Sequence, residues 1–229
     1  MDTVAPPPAQ ALEEVAHFDV LIVGAGISGI GAAHHLGEKC PGKTFVMLET
    51  KASFGGTWRQ HTYPGIRSDS DLYTFGYEFK PWTGQPIANG KAILNYLEEA
   101  IEDDDIAEHI RYQHEVLSAS WSSEKQAWLL QVRRNDNGDT VFFSCNFLWM
   151  CQGYYRHAQG YTPQWQGMED FAGPIVHPQT WPEDLDYRGK RVVVIGSGAT
   201  AATLIPSMAD DCEHITMLQR SPTSVSYTH

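Results

Sequence analysis

Two glycine-rich stretches, each with a charged residue downstream, have the residue types and the spacing to bind phosphates. The first contains Gly24, Gly26, Ser28 and Gly29 in the pattern GxGxxG. Glycines at these positions allow a tight turn whose backbone N–H groups approach a pyrophosphate at the start of a helix. Glu49 follows Gly29 by 20 residues, and a carboxylate there binds ribose hydroxyls and repels a 2′-phosphate. The first stretch therefore predicts a site for the adenosine ribose of FAD or NAD.

The second stretch reads GSGATA from 196 to 201 and differs in the charge that follows it. Its candidate cofactor-binding residues are Gly196, Gly198, Ala199 and Thr200. Arg220 lies 24 residues after Gly196, close to the 25 residues that separate the first glycine and the acid of the first stretch. Because an arginine pairs bidentately with a phosphate and Ser221 can add a hydroxyl contact, this stretch predicts NADP rather than NAD. The alternative is a surface arginine at a strand end.

Both stretches lie where a strand pattern passes into a helix pattern, which predicts two Rossmann-like units. Apolar strands are predicted at 18–23 and 192–195, directly before the glycines. Between the units, residues 110–152 contain three strand patterns, IRYQHEVLSASW, AWLLQVRR and TVFFSCNFLWMCQG, with a hairpin signal at NDNGD. We therefore predict an α/β fold: a Rossmann-like FAD-binding domain with a β-meander insertion, then the start of a second Rossmann-like domain that binds NADP. The predicted segments are a disordered lead at 1–16, the FAD-binding domain at 17–165, a linker at 166–186 and a partial NADP-binding domain at 187–229.

The charge and the cysteine content exclude several classes of protein. A net charge of −12 argues against a nucleic-acid partner, which needs a basic surface. No apolar run reaches membrane-spanning length, and the N-terminus lacks a signal-peptide pattern. The four scattered cysteines form neither CxxC nor a zinc-type pairing, so we expect free thiols, a reducing cytoplasmic location and no metal site. His34 and His35 are interpreted as part of a helix surface.

The segment between the two glycine stretches carries the most specific motif. FAGPIVHPQTWP, from 171 to 182, resembles the FxGxxxHxxxWP signature of flavin-dependent monooxygenases of the Baeyer–Villiger type. The matching residues are Phe171, Gly173, His177, Trp181 and Pro182. The resemblance covers the chain from about Phe18 onwards, and YPGIRSDSD at 63–71 is similar to the branch of hydroxyacetophenone and ethionamide-activating monooxygenases. Relatives that oxidise nitrogen or sulfur carry a similar motif, usually without the Trp-Pro ending.

The resemblance implies a reaction and a set of roles. NADPH reduces FAD, O₂ adds to give a flavin peroxide, and the peroxide attacks a ketone to give an ester or a lactone. The residues implied to contact the cofactors beyond the glycine stretches are Gly56, Thr57, Trp58, Asp69 and Gly153. Asp69 is also implied to help position a catalytic arginine. The 171–182 segment is implied to join the two cofactor domains, with His177 as a hinge residue rather than a proton donor. The implied partners are O₂ and a small organic substrate.

Some features of the chain depart from the family or leave alternatives open. The family's chains are longer, and their catalytic arginine lies downstream of Arg220. We therefore expect a truncated chain that binds FAD weakly and does not turn over alone. An N- or S-oxygenating monooxygenase and a non-catalytic nucleotide-binding regulator stay open as alternatives. A disulfide reductase fits less well, because the C-x5-C spacing of Cys145 and Cys151 is not that of a redox pair. No oligomeric state is predicted.

Overall fold

The structure is a computed structural model that describes residues 15–221. Internal contacts divide these residues into two compact units, one formed by 15–59 with 94–154 and one formed by 60–93 with 155–221. Residues 1–14 of the predicted disordered lead lie outside the described residues. The predicted domain boundaries at 165 and 186 stay predictions, and the contacts group residues 60–93 with the second unit.

Helices and strands alternate near both ends of the described chain, with three helices and then a run of strands between them. In chain order they are β1 (Ala16–Val23), α1 (Ile27–Lys39), β2 (Phe45–Leu48), α2 (Thr57–Gln60), α3 (Leu72–Phe75), α4 (Gly90–Asp103), β3 (Ile110–Arg111), β4 (His114–Ser122), β5 (Ala127–Arg134), β6 (Thr140–Met150), β7 (Arg191–Ile195), α5 (Ala199–Met208) and β8 (His214–Leu218). Single-turn 3₁₀ helices are Ile106–His109, Met168–Asp170 and Pro178–Thr180. Among the described residues, none of the helices has the length and apolar character needed to cross a bilayer.

The first unit is built on a six-stranded mixed sheet in the order β3-β2-β1-β6-β5-β4. β1 lies between two parallel neighbours, pairing Val23 with Leu48 of β2 and with Met150 of β6. β6 also pairs antiparallel with β5, which pairs antiparallel with β4. Parallel strands joined through α1, with a meander added at one side, give the predicted α/β class, which is confirmed.

Burial on both faces explains why β1 reads as a continuous apolar run. Val20, Leu21 and Ile22 are at most 8% exposed although successive side chains of a strand point to opposite faces. One buried cluster includes Leu21, Leu48 and Leu130 and draws on four strands. α1 buries Ile30, Ala33 and Leu36 at helical spacing. The carboxyl ends of β1 and β6 therefore lie side by side at a fixed edge of the sheet.

The second unit contains a smaller strand–helix–strand element. β7 and β8 are parallel, with Ile195 opposite Leu218. α5 follows β7 and buries Leu204 and Met208 in a cluster that includes Tyr63. The segment from 155 to 190 contains no regular element other than two 3₁₀ turns.

Most predicted elements agree with the structure, but one predicted strand becomes two and the strand predicted at 140–153 ends at Met150. The helix ISGIGAAHHLGEK and the strand AWLLQVRR have the predicted bounds. The stretch IRYQHEVLSASW does not form one strand, because Gln113 has a φ of +59° and turns the backbone. Gln113 N donates to Lys51 O at 2.9 Å, and the chain then leaves β2 to pair with β5.

Candidate functional site

The first glycine turn is fixed by close contacts between backbones. Gly24 has a φ of +102°, its N–H donates to Leu48 O at 2.8 Å, and a Cβ there would lie 2.7 Å from Cys151 O. A Cβ on Gly29 would overlap the carbonyl oxygen of Gly24. L-residues therefore fit neither position, because the strand edge and the first helical turn pack directly on this loop.

The glycine turn leads directly into a helix N-terminus. Gly26 is the N-cap of α1, in an extended conformation with φ −86° and ψ −171°. Ser28 lies exposed in the first helical turn. The positive end of the helix dipole is thus at the turn, where a phosphate is stabilised.

Glu49 reaches back to this turn from the end of β2. Its side chain is 7% exposed, Oε2 accepts the Ala25 N–H at 2.8 Å, and Oε1 accepts the Lys51 N–H at 2.8 Å. Each oxygen has a second lone pair that can accept a hydroxyl hydrogen. A buried carboxylate held beside a glycine turn fits the ribose of an adenine dinucleotide. The residues of the first turn are therefore compatible with a bound FAD.

Gly55 and Gly56 pack against the first glycine turn. Gly55 N donates to Ala25 O at 2.9 Å, and a Cβ on Gly56 would lie 3.1 Å from the Gly26 Cα. The φ values of Gly55 and Gly56 are +119° and +52°. Contact with the first glycine turn at these positive φ values therefore explains why glycine is needed at both positions, which the sequence did not suggest. Their approach to a flavin ring stays a prediction.

Three more predicted flavin residues lie near these elements. Thr57 and Trp58 begin α2 immediately after the glycine pair, and both are partly buried. Gly153 follows β6 with a φ of +73°, and a Cβ there would meet no atom within 4 Å. It lies two residues beyond Cys151, whose N–H donates to Val23 O at 2.9 Å. Its place at the carboxyl end of the parallel strands is where open α/β sheets bind ligands.

The second glycine turn repeats the geometry of the first. Gly196 has a φ of +120°, and its N–H donates to Leu218 O at 2.8 Å. Gly198 is the N-cap of α5, with φ −77° and ψ −175°. Ala199 is the first helical residue, and Ala201 at the third fingerprint position is 6% exposed. The two turns are therefore the same structural device at two places in the chain.

The strand registers revise the comparison between Glu49 and Arg220. Leu48 pairs with Val23 and Leu218 pairs with Ile195, so Gln219 occupies the position of Glu49 and Arg220 lies one residue further. Counting residues from the first glycine aligned Arg220 with Glu49 wrongly, because the connection from β7 to β8 is shorter than the connection from β1 to β2.

The segment that follows β8 runs beside the second glycine turn. Ser197 Oγ donates to Ser221 O at 3.5 Å. Arg220, the residue before Ser221, is exposed. A neutral Gln219 does not repel a 2′-phosphate as a carboxylate would. The contact of Arg220 and Ser221 with that phosphate stays a prediction.

Thr200 has a protein partner that the sequence did not reveal. Its hydroxyl is hydrogen-bonded to Tyr63, which is 7% exposed. Burial raises the pKa of Tyr63, the Thr200 hydrogen bond lowers it, and the charge of Asp69 raises it. A Cβ on Gly65 would overlap the Ser207 hydroxyl. The loop at 63–65 thus packs on α5, and Thr200 is fixed by Tyr63 whatever it contacts beyond the protein.

Asp69 lies on an extended segment that is pinned along its length. Ser68 N donates to Ala88 O at 2.8 Å and Gly90 N donates to Ile66 O at 2.9 Å. Asp69 is exposed and accepts the Ser70 hydroxyl at 3.4 Å. The neighbouring Asp71 instead caps α3, accepting the Thr74 N–H at 3.0 Å. Asp71 therefore has a structural role, and the role of Asp69 beside an arginine stays a prediction.

In the signature segment, His177 begins a short turn and packs on glycine. His177 Nδ1 accepts the Gln179 N–H at 3.1 Å, which assigns the ring proton to Nε2. A Cβ on Gly160 would overlap the His177 ring. Gln179 is 6% exposed, donates to Arg156 O, and accepts from Gln60 Nε2 at 3.1 Å through its own carbonyl. Sequence reasoning missed this buried glutamine, although it lies inside the recognised motif.

The aromatic members of the signature behave differently from each other. Trp181 packs against the cluster of Tyr63 and Leu204 and meets the ring of Tyr187 at 6.2 Å between centroids. Phe171 is 62% exposed, and a Cβ on Gly173 would lie 2.8 Å from its ring. Pro182 is exposed, and its carbonyl accepts the Leu185 N–H at 3.3 Å. These contacts are within the second unit, and the hinge role stays a prediction.

Comparison with known sequences gives matches that extend over almost the whole chain. A family model described as flavin-binding monooxygenase-like matches residues 18–226. The FAD-containing monooxygenase EthA of Mycobacterium tuberculosis (strain ATCC 25618 / H37Rv) is 54% identical over 211 residues, which are 91% of this chain and 43% of that protein. The chain therefore spans less than half the length of this relative.

Solved structures of monooxygenases share the fold over almost the whole chain. An oxidized steroid monooxygenase bound to NADP is 34% identical with a TM-score of 0.76, covering 90% of this chain and 39% of that one. Cyclohexanone monooxygenase from Rhodococcus sp. Phi1 bound to NADP+ is 28% identical with a TM-score of 0.77, covering 91% and 39%.

Proposed function

Because the chain belongs to the flavin-binding monooxygenase-like family, we propose that it carries the FAD- and NADP-binding residues of an NADPH-dependent monooxygenase. The family resemblance identified from the motifs is confirmed by these matches. The activity of the whole enzyme is part of the proposal, since the chain spans under half of its relative.

One observation carries the proposal: two glycine turns of matching geometry are followed by residues of opposite electrical preference. The first has a buried carboxylate, Glu49, bonded to the turn itself. The second has a neutral Gln219 at the equivalent position and an exposed Arg220 beside it. This difference supports a free ribose at the first turn and a phosphorylated ribose at the second. FAD and NADP meet these two requirements.

The residues proposed to hold each cofactor follow from this assignment. For FAD they are Gly24, Gly26, Ser28, Gly29, Glu49, Gly56, Thr57, Trp58 and Gly153. For NADP they are Gly196, Gly198, Ala199, Thr200, Arg220 and Ser221. When bound, the flavin supplies electron transfer and oxygen activation. The chain binds the pyrophosphates at helix N-termini, orients the ribose of the first cofactor through Glu49, and selects the second cofactor by charge.

We propose a ketone as the substrate and a Baeyer–Villiger oxidation as the reaction. The support is the complete signature from Phe171 to Pro182 and the fold shared with the steroid and cyclohexanone monooxygenases. The flavin peroxide implied by the resemblance stays a prediction.

Oxygenation of an amine or a sulfide is the second candidate. Its support is the YPGIRSDSD sequence at 63–71, which is similar to the branch that includes ethionamide-activating monooxygenases, and the 54% identity to EthA.

The test is a set of binding measurements on the purified chain, together with product measurements on a longer enzyme that contains this chain. We expect FAD to bind to the chain and NADP+ to bind more tightly than NAD+, and we expect the flavin of the longer enzyme to bleach with NADPH and recover in air. Incubation of that longer enzyme with a ketone and with a thioether separates the two candidates by ester or sulfoxide formation. Nucleotide binding with no affinity for FAD would overturn the proposal in favour of a regulator.

A further inference from the structure

We propose that the C-terminal half of α1 carries a site for a divalent transition metal, separate from both glycine turns. Ring nitrogens of His34 and His35 and a carboxylate oxygen of Glu38 lie within 4.8 Å of one another. His34 Nε2 is 3.7 Å from Glu38 Oε2, and His35 Nδ1 is 3.9 Å from the same oxygen. Each histidine approaches Glu38 because residues three and four apart share one helix face.

The geometry is close to that of a coordinated ion. Zinc binds imidazole nitrogen and carboxylate oxygen at about 2.0–2.2 Å in tetrahedral sites, so its donor atoms are roughly 3.3 Å apart. The two histidine–glutamate pairs, at 3.7 and 3.9 Å, therefore need to approach by roughly half an ångström, and the full set, now within 4.8 Å, has to close by up to about 1.5 Å. Glu38 and His35 are 51% and 56% exposed, so their side chains have room to move. A water molecule completes such a three-ligand site.

Asp104 supplies an independent observation in favour of the site. Its Oδ2 lies 2.7 Å from His34 Nδ1, although the two residues are 70 positions apart in the chain. This hydrogen bond places the ring proton on Nδ1 and directs the Nε2 lone pair towards Glu38. Metal-ligating histidines nearly always donate their other ring nitrogen to such a carboxylate, which fixes the ring and makes it a better ligand. His34 is 14% exposed, so its orientation is also held by packing.

The donor set selects the class of metal. Two imidazoles and one carboxylate suit zinc, nickel or copper, whereas calcium and magnesium prefer oxygen ligands alone. Glu38 has a competing partner in Lys39, whose ammonium lies 2.9 Å from Glu38 Oε1. An exposed ion pair of this kind contributes little, so a metal displaces it readily. The sequence analysis predicts no metal site here, because adjacent histidines are not a recognised ligand spacing.

The metal site is distinct from the proposed cofactor site. His34 lies eight positions after the helix N-cap Gly26, which is about 12 Å along the axis at 1.5 Å per residue. A bound ion joins α1 to the segment that follows α4 through Asp104. We therefore expect the metal to stabilise the first unit without displacing a dinucleotide.

The test is calorimetric titration of the purified chain with Ni²⁺ and with Zn²⁺. We expect one ion per chain, and affinity at least tenfold lower in His35→Ala and in Glu38→Gln. Asp104→Asn should weaken binding by about tenfold, the lower end of outer-shell effects. His214→Ala, an exposed histidine on β8, is the matched control and should bind as the parent does. Circular dichroism checks that each variant is folded.

Cys40 is the alternative ligand that the experiment has to exclude, because it is exposed and lies two residues after Glu38. Cys40→Ser should retain binding, and the Co²⁺ complex should lack a thiolate charge-transfer band. The proposal is wrong if Cys40→Ser alone abolishes binding, or if His35→Ala and Glu38→Gln bind with parental affinity and stoichiometry.

Discussion

The Glu49 carboxylate is held by two backbone N–H groups, one of which belongs to the glycine turn. A side chain in this position has two effects, because it orders the turn and offers lone pairs to a ribose. Its near-complete burial also means that any replacement must satisfy the same two donors.

Glu49→Gln should therefore weaken FAD binding. The substitution replaces a charged acceptor for the ribose hydroxyls by a neutral amide, and loss of a hydrogen bond to a charged group costs about 1.5–3 kcal/mol, which corresponds to roughly a 10- to 150-fold increase in the FAD dissociation constant. Fluorescence titration of FAD measures this change. Glu124→Gln, on an exposed turn, is the control. Equal FAD affinity in Glu49→Gln and the parent would contradict the assigned role.

Arg220→Ala tests the second turn through its selectivity between cofactors. We expect NADP+ affinity to fall by at least tenfold and NAD+ affinity to stay nearly unchanged, because a charge-assisted pair with the 2′-phosphate is available to NADP+ alone. Titration of both nucleotides gives the ratio. Arg188→Ala removes an exposed arginine from the same unit and should leave the ratio as it is. A parallel loss of both affinities would show that Arg220 does not read the phosphate.

At the scale of elements, the two glycine turns show why the third fingerprint position differs between them. In the first turn a Cβ at Gly29 would overlap the Gly24 carbonyl, whereas the second turn accepts Ala201 at the same position. The helix therefore packs closer to its strand in the first unit.

Gly29→Ala should destabilise the first unit even though alanine is the better helix former. Overlap with backbone cannot be relieved by a side-chain rotation, so we expect a loss of about 1–3 kcal/mol. Gly37→Ala is a matched control in the same helix, because a Cβ there meets no atom within 4 Å. It should gain up to about 1 kcal/mol. Urea unfolding followed by circular dichroism compares the two, and equal midpoints would refute the packing argument.

Local patterns predicted the glycine turns, α1 and β5, because hydrophobic spacing and turn chemistry lie within a few neighbouring residues. Tertiary pairing decided the rest. The division of the strand at Gln113 depends on its bond to Lys51, which no pattern near 113 reports. Likewise, Tyr63 and Thr200 lie 137 positions apart. The one-residue offset of Arg220 became visible only in the strand register.

At the scale of the whole molecule, the four cysteines differ in environment. All four are free thiols in the structure, with Cys40 exposed and Cys145 buried. Burial raises the pKa of Cys145 to about 11 and also raises the pKa of Cys151. Neither is a thiolate near neutral pH, which argues against the disulfide-reductase alternative. The predicted cytoplasmic location stays a prediction.

Alkylation with iodoacetamide at pH 8 should label Cys40 first. Cys145 should resist until the chain is unfolded, because the reactive thiolate forms only as the pH approaches its raised pKa. Mass spectrometry of the digested protein locates the label. Rapid labelling of Cys145 under native conditions would contradict its placement between β1 and β5.

The central place of β1 has a consequence for synthesis. β1 occupies positions 16–23, and its neighbour on one side, β6, supplies positions 143–150. During translation the earliest strand therefore waits, apolar and half paired, until more than a hundred further residues have left the ribosome. Contacts that join distant positions form slowly, and an uncovered strand edge invites aggregation. The nascent chain is thus expected to need a chaperone over this interval more than at any later stage.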